Sequence, residues 1–111
     1  MLGAMLFRRK PATEAEVRER AADLISKPGA WHPYFRLNKW GHKAGPREKA
    51  AAWPGTAAIH EVSKDATLFH AAMDKLNAAC PPHIDLAPFA GWEREPGRTA
   101  DEVAALLRNP A

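Results

Sequence analysis

Apolar residues recur at helical spacing in three parts of this chain and lose that spacing in the long stretches between. Val17, Ala21, Leu24 and Ile25 make one apolar face and predict a helix over 14–26. Thr13 is placed to cap it, Glu14 and Glu16 suit the positive end of its dipole, and Lys27-Pro28-Gly29 stops it. A broader stripe of Leu68, Phe69, Ala72, Met73, Leu76 and Cys80 predicts a helix over 66–79. Asp65 is its N-cap, and Pro81-Pro82 ends it. Val103, Leu106 and Leu107 mark the inner face of a last helix over 100–108, closed by Asn109-Pro110.

The intervening stretches are rich in Pro and Gly. Pro46 suits the first turn of a helix over 47–53, and Pro54-Gly55 interrupts it before a short helix over 56–62. Residues 81–98 read as loop. Ile84, Leu86 and Phe89 permit a short extended segment there, which Pro88 confines to an edge. Residues 30–45 read as a long loop dense in rings: Trp31, His32, Tyr34, Phe35, Trp40 and His42. Tyr34 to Lys39 leaves room for a short strand or turn. A connection that long in a small domain is functional or anchored by its own side chains.

The expected fold is therefore all-α: a small bundle of four to five short helices with long aromatic-rich loops. One domain covers 13–111, and residues 1–12 form an apolar and basic arm. Two five-residue runs echo each other, Thr13-Glu14-Ala15-Glu16-Val17 and Thr99-Ala100-Asp101-Glu102-Val103. Each predicts a capping box, in which Thr and the Glu three residues on exchange hydrogen bonds with each other's backbone amides.

Composition narrows the class. The 111 residues suit one domain, and abundant Ala with few β-branched residues favours helix. The ten prolines favour short helices. A single cysteine, Cys80, excludes an internal disulfide and carries no sign of an oxidising compartment. The apolar start lacks the order of a signal peptide, and no stretch is long enough to span a bilayer, so a cytoplasmic location is expected. Charge is uneven. Arg8, Arg9 and Lys10 form one basic island; Arg36, Lys39, Lys43, Arg47 and Lys49 against Glu48 form another. Such islands steer anionic partners or are simply solvated.

Three phrases carry a resemblance. Leu24-Ile25-Ser26-Lys27-Pro28-Gly29-Ala30-Trp31 ends the first helix. Trp53-Pro54-Gly55-Thr56-Ala57 stands mid-chain. Trp92-Glu93-Arg94 precedes Pro96-Gly97-Arg98-Thr99 and the Glu102-Val103 helix start. In this order they resemble the domain-of-unknown-function family 6197, small proteins of high-GC bacteria and their phages. The resemblance spans roughly 13–108 and implies the helical layout, with no activity attached. Two departures stand out. The family's middle Cys is absent near Trp53, and Glu93-Arg94 replaces its Asn-Asp pair.

Catalytic and metal chemistry find little support in the residue pattern. Cys80 and His83 have ligand-like spacing but no second pair, and His60-Glu61 lacks the second His of a zinc-hydrolase helix. His32, His42 and His70 are scattered, so no metal site and no cofactor are expected. Cys80 closes an apolar stripe at a helix C-terminus, where a thiolate is disfavoured. Glu93 and Glu95 flank Arg94 in what reads as a solvated turn, so no catalytic residues are assigned.

Binding is better supported. The arm offers Leu2, Leu6 and Phe7; the loop offers Trp31, Tyr34, Phe35, Arg36, Lys39, Trp40 and Lys43. Aromatic and Arg side chains dominate protein interfaces. The same loop, with Arg47 and Lys49, could instead stack on bases and meet phosphates. The alternative is that its rings anchor the loop to the body. The expectation is a non-enzymatic accessory protein that binds another macromolecule, a protein first and a nucleic acid second; an enzyme of unknown class is third, with no residue set behind it.

Overall fold

A computed structural model describes residues 9–110. Among them are five helices: α1 (Glu14–Ile25), α2 (Gly55–Ser63), α3 (Ala66–Ala79), α4 (Pro88–Glu93) and α5 (Ala100–Arg108). The fold is all-α, and none of these helices is long and apolar enough to cross a membrane. The predicted arm residues Leu2, Leu6 and Phe7 lie outside the described residues.

The core is built from the faces that the periodicity marks. Val17, Ala21 and Ile25 of α1 meet Ala58 and Ile59 of α2, Ala72 and Leu76 of α3, and Val103 and Leu107 of α5. Phe89 of α4 is the largest fully buried side chain. Helix α1 sits centrally, packed on α2, α3 and α5. Arg18 is buried at its contact with α5. Its guanidinium holds Glu14 at 2.6 Å and donates to the carbonyls of Leu107 (2.9 Å) and Arg108 (3.4 Å). It thus closes the open carbonyl end of α5, which no residue of α5 can reach. Arg108 in turn pairs with Glu19 and Asp23 of α1 at 3.2 and 2.6 Å.

Four expectations need correction. Residues 47–53 are not a helix. The amides of Ala51 and Ala52 donate to the Leu37 carbonyl, and that of Trp53 to the Ala30 carbonyl. Arg47 and Glu48 lie in a turn closed by the Glu48 amide on the Gly45 carbonyl, and Ala52 and Trp53 form isolated bridges to Leu37 and Trp31. Pro54 disfavours helix at residue 53, and cross-chain pairing outweighs the propensity of the alanines.

Residues 88–93 are not loop but helix α4, with Pro88 in its first turn. The Asn77 side chain on α3 accepts from the Phe89 amide at 2.9 Å, a cap supplied by a different helix.

The two capping boxes differ. Thr99 and Glu102 form the complete box. Thr13 accepts from the Glu16 amide at 3.1 Å, but the Glu16 carboxylate turns to the Ala12 amide, also at 3.1 Å.

The fourth correction concerns Glu93, which is buried rather than solvated.

Candidate functional site

The segment 30–53 is anchored by a closed set of polar contacts. Glu48 accepts from the Gly45 amide (3.0 Å) and the Asn38 side chain (2.9 Å), which hold its carboxyl below the usual carboxylate range. Arg36 donates to the carbonyls of Gly45 (3.2 Å) and Glu48 (2.9 Å). His32 accepts from the amides of Tyr34 and Phe35 through Nδ1, closing a turn. Gly41 takes a positive φ, a conformation that suits glycine, at the Asn38–His42 reversal.

This frame divides the predicted binding residues. Tyr34, Phe35 and Trp40 are exposed, Trp40 by 67%. Each carries a cation over its ring: Arg94 over Tyr34 at 5.3 Å, Lys43 over Phe35 at 4.0 Å and Lys39 over Trp40 at 4.6 Å. Arg36 is spent inside the loop, and Trp31 points away from the exposed group.

Trp31 donates from Nε1 to Oε2 of Glu93 at 2.7 Å. The Gly55 amide donates to the same oxygen at 2.6 Å. Glu93 is 2% exposed. Burial pushes its carboxyl up to about 7, against the opposing pull of Trp31, Gly55 and Arg94. It thus joins the loop, the start of α2 and the end of α4. The carboxylate stands at the amide end of α2, where the backbone favours negative charge. Gly55 is required for this approach: a Cβ there would meet the Phe89 ring at 2.6 Å and Glu93 Oε2 at 3.1 Å.

Beside this junction opens a cleft of about 580 Å³, lined by Tyr34, Arg36, Thr56, His60, Glu61, Phe69, Glu93 and Arg94 together with Pro33, Pro54 and Ala90. Most of these residues are absent from the sequence-based binding set. The available signal lay in the three phrases: Trp31, Gly55 and Glu93 belong one to each.

A family model for DUF6197, a family of unknown function, matches residues 9–111. The chain belongs to this family. No curated protein and no solved structure matches it. In this DUF6197 chain Glu93 and Arg94 both line the cleft.

Of the remaining candidates, His60 lines the cleft, and His70, His83 and Cys80 are not among its lining residues. His60 and His70 each meet the edge or face of Phe69, at 5.7 and 5.3 Å. His83 accepts from the amides of Asp85 and Leu86. Cys80 is buried, which raises its thiol pKa. Among the described residues, no three His, Cys, Asp or Glu side chains group as a metal site would require.

Proposed function

We propose that this DUF6197 protein is a non-enzymatic accessory protein that acts by binding another protein through the face formed by Tyr34, Phe35 and Trp40. The exposure of these three rings on one anchored loop carries the reading. Large rings held rigidly cost little entropy to dock, and aromatic side chains supply most interface energy. Lys39, Lys43 and Arg94 stand over the rings and favour an acidic patch on the partner. The partner belongs to the bacterial or phage setting to which the family resemblance points, and the encounter is cytoplasmic.

Nucleic acid is the second reading, favoured by the basic residues Lys39, Lys43, Arg47 and Lys49 near the rings. The cations over the rings weigh against it, because each occupies a face that a base would stack on. Phe35→Ala with Trp40→Ala should weaken capture of a protein partner by about tenfold or more while leaving the melting temperature in place. Partner capture unaffected by the double variant would overturn the reading. Salt-sensitive retention on a DNA or RNA column, lost on Lys39→Ala with Lys43→Ala, would favour the second.

A further inference from the structure

Glu93 has an oxygen to spare. Oε2 takes both donors, from Trp31 and Gly55, while Oε1 makes no hydrogen bond among the described residues. The one side-chain polar atom among them that is shut off from solvent and unpartnered is Trp53 Nε1. Glu93 Oε1 is therefore not fully shut off from solvent, and Glu93 lines a cleft of about 580 Å³. That volume falls in the range of small-molecule sites.

The lining points to a ligand type. Pro33, Pro54 and Phe69 supply apolar surface of the kind a flat ring covers. Arg94, His60 and Tyr34 line the same cleft as the Glu93 acceptor and carry donors. Arg36 and Arg94 oppose Glu61 and Glu93 in charge, which disfavours a strongly cationic or anionic ligand. We propose that this cleft is a binding site for a small, neutral, planar heterocycle bearing an N–H beside a carbonyl, the edge presented by lactams and nucleobases. The N–H donates to Glu93 Oε1, and the carbonyl accepts from the Arg94 side. Oε1 is an acceptor with no protein donor, so a ligand N–H can take it without displacing a hydrogen bond of the fold. The cleft shares Tyr34 and Arg94 with the exposed ring face, but recognition of a ligand at Glu93 does not rest on that face binding a protein.

The carboxyl also sets the pH at which such a ligand binds. With Oε2 holding two donors, a proton on Glu93 goes to Oε1 and turns the acceptor into a donor. Since burial raises this carboxyl to about 7, binding should strengthen as pH rises through that value. The other charged and titratable groups facing the cleft are Tyr34 and Arg36 on the loop, His60 and Glu61 on α2, and Arg94 just past the end of α4.

The probe is 2-pyridone, titrated into the full chain at pH 8 and followed by the indole N–H resonance of Trp31. A saturable shift with Kd on the order of 1 mM is expected for so small a ligand. N-Methyl-2-pyridone, which lacks the N–H, should bind about tenfold or more weakly. Glu93→Gln can keep an amide oxygen on Trp31 and Gly55 while turning its NH2 to the cleft. It should weaken 2-pyridone by a similar factor, with the Trp31 resonance still in its folded position. His60→Asn should leave the gain in affinity from pH 6 to pH 8 in place, because the carboxyl drives it. No saturable shift, equal binding of the N-methyl analogue, undiminished binding by Glu93→Gln, or a pH dependence abolished by His60→Asn would each overturn the proposal.

Discussion

Trp31 and Glu93 stand 62 residues apart in sequence and share a 2.7 Å hydrogen bond at the centre of three converging segments. The same carboxylate oxygen receives the first amide of α2, so one side chain holds the aromatic loop, α2 and α4 together.

Removing that side chain should be expensive. Glu93→Ala leaves the Trp31 indole and the Gly55 amide without their acceptor. A cost of about 2–4 kcal/mol is expected, read as a lower midpoint in urea unfolding. Glu93→Gln preserves an acceptor for both donors and should lose much less. A Gln variant as unstable as the Ala variant would show that the carboxylate charge, not the acceptor, matters.

Stability should depend on pH through the same group. Its folded pKa, about 7, lies above the ordinary 4.5, so the native state binds this proton more tightly than the unfolded chain. The stabilisation is fully present below about 4.5 and is lost as pH rises through about 7. Its size is on the order of 3 kcal/mol. Melting temperatures measured from pH 5 to pH 8 should show this fall in the wild type. Glu93→Gln should flatten it and should match or exceed the wild type at pH 8.

Gly55→Ala should destabilise by about 1–3 kcal/mol despite the higher helix propensity of Ala. The added methyl would meet the buried Phe89 ring, which has no room to withdraw, and would press on Glu93. Denaturant unfolding measures the loss, and a stabilised variant would contradict the close approach.

Arg18 offers a test of the α1–α5 contact. Arg18→Ala removes the donor for the Leu107 and Arg108 carbonyls and leaves Glu14 without its partner. A loss of about 2–4 kcal/mol is expected. Arg18→Lys should recover only part of it, because one ammonium cannot reproduce the planar fork that serves Glu14 and the helix end at once. Calorimetry of the two variants distinguishes lost packing from lost hydrogen bonds.

The unequal caps predict unequal costs. Thr99→Ala breaks a reciprocal box, whereas Thr13→Ala removes one bond and leaves Glu16 on Ala12. A loss of about 1 kcal/mol is typical of a cap, and Thr99→Ala should exceed Thr13→Ala in paired urea titrations.

Local patterning determined much of the architecture. The 3.6-residue spacing of Val17, Ala21 and Ile25, of Ala72 and Leu76, and of Val103 and Leu107 placed three helices and their inner faces. Such faces have nowhere to go except a shared core. The caps at Thr13, Asp65 and Thr99 were legible for a similar reason, since the partners lie within one turn. Phrase order alone pointed to the family. The tertiary structure decided whatever depended on distant partners. Residues 50–53 are extended because Leu37 and Ala30 offer carbonyls there, and α4 is capped by an Asn from another helix. Glu93 looked like a surface residue because nothing within its own turn could bury it. Trp31 and Gly55, brought close only by folding, offset part of the desolvation of a carboxyl that local sequence would leave in water.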